Sequence, residues 1–224
     1  MRLKAPTPAS QDDIIQLEIL QAAIRLYQKL GPNGFTMDDL AAATGRSRTS
    51  LYYYYKNRDE IYQAVMNKIA RDMAGEIRAA VAAAETVRDK VYAFCHSKMK
   101  TSKEWGMVFS AMWELMDAEE QSNHTKVMYN WHKKLVHQES MILNEILAGA
   151  ARRKEIRVIS PGDQDTLVFL IYTGIRGFRR EIYELNDPHD MEATLRLLTD
   201  MVVTWLSAVP PDLDEKRPAG RGSR

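Results

Sequence analysis

An all-α fold is expected from three features of the sequence. Apolar residues recur at helical spacings of three and four along nearly the whole chain. Strand-like alternation is nearly absent. Pro and Gly fall mostly between the periodic segments, where chain breaks belong. About nine helices are expected, three forming an N-terminal head and the rest following it.

The first helix is expected over 11–30, opened by a capping box of Ser10 and Asp13, with Leu17, Leu20, Ile24 and Tyr27 as its apolar stripe. Gly31-Pro32-Asn33-Gly34 ends it, because Pro cannot continue a helix and Gly and Asn tolerate positive φ. A short second helix runs from Met37 to about Ala43. Thr36 is its N-cap, and Asp38 and Asp39 occupy the first turn, where the helix dipole favours acids. Thr44-Gly45-Arg46 makes a turn, and Ser47 caps a third helix over 48–54. A fourth helix starts near Arg58 and continues to about Ala84. Further helices are expected at 87–101, 103–117, 121–153, 161–184 and 188–208. Ser160-Pro161 and Asp187-Pro188 are start signals, an N-cap followed by Pro at the first helical position. Residues 209–224 are rich in Pro, Gly and charge and read as a disordered tail.

The chain has 224 residues, enough to bury a real core. No apolar run approaches the ~18 residues of a membrane span. Met1 to Ser10 lack the apolar core of a signal peptide, so a cytoplasmic protein is expected. The single cysteine, Cys95, excludes an intrachain disulfide framework and fits a reducing compartment. No nucleophile–base pair, carboxylate dyad or phosphate-cradling Gly loop is visible, so neither enzyme activity nor a cofactor is expected. His124, Met128 and His132 share a helical face but span too far for one ion, so no metal is expected. Cys95 and His96 are sequence neighbours and point apart, and Glu114 with Asp117 reads as an exposed acidic turn.

The net charge is only +1, but it is unevenly spread. From Arg46 to Arg58 there are four cations (Arg46, Arg48, Lys56 and Arg58) and no acid. A basic stripe in a neutral protein is what a localised DNA contact looks like. Two short helices, a Gly-containing turn and a bracing helix are the parts of a helix-turn-helix, whose second helix enters the major groove with its N-terminal residues at the base edges. Arg48, at the first position of that helix, can donate two hydrogen bonds to guanine O6 and N7. Thr49 and Ser50 are small enough for close approach, while Leu51 faces the three-helix core. Taken alone, the four consecutive tyrosines Tyr52, Tyr53, Tyr54 and Tyr55 could be packing residues and the cations a solvated face.

Ile19-Leu20-x-Ala22-Ala23, then Gly34-Phe35-Thr36-Met37-x-x-Leu40-Ala41, then Gly45-x-Ser47-x-x-Ser50-Leu51-Tyr52-x-Tyr54-Tyr55-Lys56-Asn57-Arg58-x-Glu60-Ile61 resembles the head of tetracycline-repressor-type (TetR) regulators. The resemblance covers about residues 14–65. Beyond it the chain is similar to the family only in length and helical character. The resemblance implies a DNA-binding head at 10–58 after a flexible N-terminus at 1–9. It also implies a ligand-binding and dimerisation domain at 59–208, before the tail at 209–224. It implies base contacts from Arg48, Thr49 and Tyr53. Phosphate contacts are implied for Thr36, the backbone at Met37, Ser50, Tyr52, Tyr54, Lys56 and Arg58. Arg58 stands at the family's usual lysine position. Three positions depart from the pattern. Arg46 replaces a small apolar residue and could add a phosphate contact, Tyr54 replaces histidine, and Tyr55 replaces phenylalanine.

Two further expectations concern the remaining helices. Leu167, Ile171, Gly174 and Phe178 form one stripe on the penultimate helix, and Leu170, Gly174 and Gly177 a second. With Met191, Leu195, Leu198, Val202 and Trp205 on the last helix, they suit a two-fold four-helix interface, the alternative being packing within one chain. Trp105, Phe109, Met112, Trp113, Met116, Met128 and Trp131 are adaptable or flat apolar side chains that suit either an effector pocket or a core. The expected partners are a palindromic double-stranded operator, a small apolar or aromatic effector and a second copy of the chain. The alternative is an architectural DNA-binding protein whose C-terminal domain only dimerises.

Overall fold

Local signals set the helix ends before any packing is considered. The computed structural model describes residues 10–31, 34–116 and 118–207. The segments 1–9 and 209–224, and Asp117, lie outside the described residues. Among the described residues there are eight α-helices and no strand. They are α1 (Gln11–Leu30), α2 (Met37–Thr44), α3 (Arg48–Tyr54), α4 (Arg58–Ala82), α5 (Val87–Glu114), α6 (Ala118–Arg152), α7 (Pro161–Arg179) and α8 (Met191–Ser207). A π-helical turn, Arg180–Glu184, extends α7.

Ser10 and Asp13 close a reciprocal capping box on α1, and Thr36 and Asp39 do the same on α2. Ser47 accepts from the Ser50 amide to cap α3, and Asn57 accepts from the Glu60 amide at the start of α4. Gly45 ends α2 at φ 64°, in the left-handed region where a glycine carries no steric cost. Gly31 needs to be glycine twice over. Its φ is 75°, and a Cβ there would meet the Leu115 Cβ at 2.9 Å. Thr36→Ala removes the hydroxyl on which the α2 box is built. It should cost about 1 kcal/mol of stability, read from a urea midpoint.

Three expected elements differ. The helices expected at 87–101 and 103–117 are one continuous α5. Thr101 does not break it, because it is fully buried and its hydroxyl donates back to the Ser97 carbonyl at 3.0 Å. The last helix begins at Met191 instead of Pro188. Asp190 accepts from the Ala193 amide and acts as the cap, while Asp187 is bonded to the His189 amide and ring. On α1 the buried face is Ile19, Leu20, Ala22, Ala23 and Tyr27, and Leu17 is 44% exposed. Leu20 and Tyr27 of the expected stripe are buried, and the small residues at 22 and 23 extend the buried face to the side away from Leu17.

The chain divides into two compact units. One holds the residues up to Ala80 together with Ser97–Met141, and the other holds Val81–His96 with the residues from Ile142 on. In the first unit, Tyr27 packs edge-on against Phe35 and Tyr62, at 4.9 and 5.4 Å between ring centroids. Leu40, Leu51 and Ile61 are fully buried around them. The same apolar cluster continues through Met66 and Met73 of α4 to Met112, Met116, Trp131 and Leu135. The Trp131 indole N–H donates to the Met66 carbonyl at 2.7 Å.

In the second unit, α7 and α8 are in contact, and Leu167, Ile171, Leu195 and Val202 on them are buried. An apolar groove of about 490 Å³ lies along these two helices, lined by Leu170, Met201 and Trp205 among others.

Candidate nucleic-acid interface

Helix α3 is short, and its two faces have separate tasks. Leu51 on α3 and Tyr55, the extended residue that ends it, are buried and fix the helix to the core. Burial pushes the Tyr55 hydroxyl above its ordinary pKa. The opposite face carries Arg48, Thr49, Tyr52 and Tyr53, all exposed, with Tyr53 at 76%. The three residues expected to read bases therefore share one open surface at the start of α3. Ser50 is half-buried beside the Ser47 cap, and the Lys56 side chain is exposed where the chain leaves α3.

Other expected phosphate contacts are engaged inside the head. Arg46 Nη2 lies 2.6 Å from Glu18 Oε2 on α1. The Tyr54 hydroxyl donates to Asp12 Oδ1 at 2.8 Å, and that bond holds its pKa above the ordinary tyrosine value. Arg58 Nη1 donates to the Phe35 carbonyl at 2.7 Å, with the guanidinium 5.7 Å from the Phe35 ring centre. Thr36 is exposed, but its hydroxyl is bonded within the α2 box, and the Met37 side chain is buried. Arg48 is held on the surface itself. Nη1 reaches Asp38 Oδ2 at 3.1 Å and Nη2 donates to the Tyr52 hydroxyl at 3.3 Å.

The stretch from Arg46 to Arg58 contains no acid, yet its cations do not stand alone. Glu18 and Asp38 arrive from α1 and α2 to meet Arg46 and Arg48. Sequence separations of 28 and 10 residues hid these pairs. The only available signal was that α1 and α2 carry acids at all.

The Met- and Trp-rich residues are brought together in the first unit. Phe109 meets Trp131 edge-on at 5.3 Å, and Trp105 lies 6.4 Å from Phe109. Met112, Met116 and Trp131 are buried, Trp105, Phe109 and Met128 pack against them, and Trp113 is exposed. His124 is bonded through Nδ1 to the Tyr62 hydroxyl, and burial lowers its pKa. Among the described residues, no three His, Cys, Asp or Glu side chains gather as metal ligands. In the second unit, Cys95 is buried and its thiol pKa is pushed up to about 12, while His96 stacks on Tyr92. No helix among the described residues is long and apolar enough to cross a membrane.

The residues expected at an interface divide in two. Leu167, Ile171, Leu195 and Val202 pack inside the second unit, and Gly174, Phe178 and Leu198 are half-buried. Trp205 is exposed with the Arg157 guanidinium 4.2 Å from its ring centre. The open apolar face is formed mainly by Phe169, Leu170, Leu197 and Met201.

The profile of the bacterial regulatory proteins of the tetR family matches residues 19–65. The HTH-type transcriptional regulator YvaF of Bacillus subtilis is 42% identical over 55 residues, 25% of this chain and 28% of that protein. The biofilm operon icaADBC HTH-type negative transcriptional regulator IcaR of Staphylococcus epidermidis is 39% identical over 46 residues, 20% of this chain and 25% of that one. The chain thus spans about a quarter of the length of these two relatives. A TetR-family transcriptional regulator from Mesorhizobium loti shares the fold, with a TM-score of 0.64 over 88% of this chain and 97% of its own, at 14% identity. Residues 19–65 thus match the N-terminal head of the tetR family of bacterial regulatory proteins.

Proposed function

We propose that the chain is a homodimeric DNA-binding transcription regulator, a repressor that leaves a palindromic operator when a small apolar or aromatic effector binds. One observation carries the DNA-binding reading. Arg48, Thr49 and Tyr53 stand exposed on one face of α3, while Leu51 and Tyr55 anchor the same helix in the core. A helix fixed on one side and polar on the other can enter a major groove without rearranging. Phosphate contacts from Ser50, Tyr52 and Lys56 would set its register. Thr36, Arg46, Tyr54 and Arg58 join them only by exchanging an internal partner for a phosphate oxygen. Repression is supported by the negative regulatory role in the name of the Staphylococcus epidermidis relative.

The effector reading draws on the apolar cluster around Trp131. It is continuous with the core beneath α3, and Trp131 is bonded to α4 at Met66. A compound inserted there would move α4, and would release DNA only by favouring the moved state over the bound one. The burial of Met112, Met116 and Trp131 favours a second reading, a constitutive DNA-binding protein whose C-terminal region only dimerises.

Arg48→Ala tests the base-reading role. Specific binding should weaken by about 1–3 kcal/mol, with preference relaxed at one position of the site. Sites selected from random DNA provide the probe. A variant with unchanged affinity for its selected site removes Arg48 from the base-reading set. Screening apolar and aromatic compounds for loss of binding to that site separates the two readings of the C-terminal region.

A further inference from the structure

Asp38 stands at the second position of α2 with its side chain 68% exposed, and it faces the first residue of the next helix. Arg48 Nη1 lies 3.1 Å from Asp38 Oδ2 and 3.5 Å from Oδ1. On the other side Nη2 donates to the Tyr52 hydroxyl, and the guanidinium lies 5.5 Å from the Tyr52 ring centre. Arg48 is thus gripped from two helices. Neither contact contributes to burying the core, because Asp38, Arg48 and Tyr52 are all exposed. An exposed pair of this kind adds little to stability. Its consequence lies in what can approach Arg48.

We propose that Asp38 is a specificity-determining partner of Arg48, excluding phosphate from the guanidinium and taking the amino group of a cytosine beside the guanine that Arg48 reads. The proposal rests on Arg48 being a base contact. A lone surface arginine binds phosphate on any sequence, and such contacts supply essentially all non-specific affinity. A carboxylate beside it repels each phosphate that comes near. At a separation of ~6 Å in water the repulsion is worth about threefold in affinity, hence about tenfold for a protein with two heads. Guanine O6 and N7 carry no net charge, so guanine escapes most of this penalty while still receiving the guanidinium donors. Asp38 is an acceptor only. Among the base edges of the major groove, an acidic side chain characteristically accepts from cytosine N4. The pair therefore favours a guanine next to a cytosine donor and disfavours bare backbone.

The test uses the full chain with Asp38→Ala, Asp38→Asn and Arg48→Ala. Sites are selected from random DNA, and affinity is then measured at low salt on the selected site and on a random-sequence duplex. Asp38→Ala should raise random-duplex affinity about three- to tenfold, change selected-site affinity by less than about threefold, and erase the cytosine preference. Asp38→Asn should move that preference towards adenine, which an amide binds through N6 and N7. A purely structural role for Asp38 would weaken both duplexes together. That result, or an unchanged ratio between the two duplexes, overturns the proposal. The Arg48→Ala arm is separate. If that variant keeps its base preference, the reading of Arg48 fails. If it loses the preference while Asp38→Ala keeps both ratio and cytosine preference, only the role of Asp38 fails.

Discussion

Glu139→Ala should destabilise the protein by about 3–5 kcal/mol, the largest loss expected from a single substitution outside the apolar core. Glu139 is fully buried on α6, and its Oε1 lies 2.6 Å from the Lys98 ammonium on α5, which is itself buried. Removing the carboxylate takes away the charge that faces the buried ammonium at 2.6 Å. Among the described residues Glu139 Oε2 has no hydrogen-bond partner, so the cost of burying the two charges is incompletely offset. Lys98→Met combined with Glu139→Leu should therefore recover most of the loss, and urea midpoints of the three proteins check both statements. Titration adds an independent sign. Burial raises the Glu139 carboxyl above the ordinary value of 4.5, against the opposing pull of Lys98. A carboxyl raised in the folded state contributes stability that is full below 4.5 and is lost as pH rises through the folded value. The stability of the Glu139→Gln variant relative to the wild type should therefore increase over that interval. A constant gap from pH 4 to 8 would mean that Glu139 titrates alike folded and unfolded.

This pair also shows where the sequence stops being legible. Lys98, Thr101 and Glu139 are polar residues on buried faces, so counting apolar positions breaks down where α5 and α6 meet. Thr101 sits in a polar run, Lys100 to Lys103, that reads as a break and is continuous helix. The N-terminal head is different, because its signals are local. Ser10, Thr36, Ser47 and Gly45 each act within three or four residues of themselves, and every one of them acts in the structure as the chain suggests. At α8, Asp187-Pro188 and Asp190 both fit a cap, and Asp190 takes the role while Asp187 is held by His189. The outward face of α3 follows from Leu51 alone, since one buried residue sets the phase of a seven-residue helix. The acids that meet Arg46 and Arg48 do not follow, because nothing in a 13-residue stretch reports what other helices bring to it.

On the proposed dimer, Met201→Glu together with Leu170→Glu should give a monomer and lower operator affinity by about 10²- to 10⁴-fold, the gain that joining two binding modules confers. Leu170 on α7 is 57% exposed and Met201 on α8 is 63% exposed, although both line an apolar groove. Gly174 and Gly177 follow Leu170 at four and seven residues, and small residues there let a second helix pair approach closely. On that proposal the apolar residues of α7 and α8 serve two ends. Leu167, Ile171, Leu195 and Val202 join the helices within one chain, whereas Leu170 and Met201 have no such task in the unit that holds them. This gives the prediction an internal control. Leu167→Ala should cost about 2–5 kcal/mol of stability by leaving a cavity, yet leave the mass at twice 25.7 kDa. The glutamate pair should keep the helical signal, halve the mass seen by light scattering and lose the operator. A single head binds one half-site, and only two heads spaced by ~34–36 Å, one DNA turn, meet a palindrome together. If the glutamate variant still scatters as a dimer, the interface lies on another face and the open stripe of α7 and α8 has a different partner.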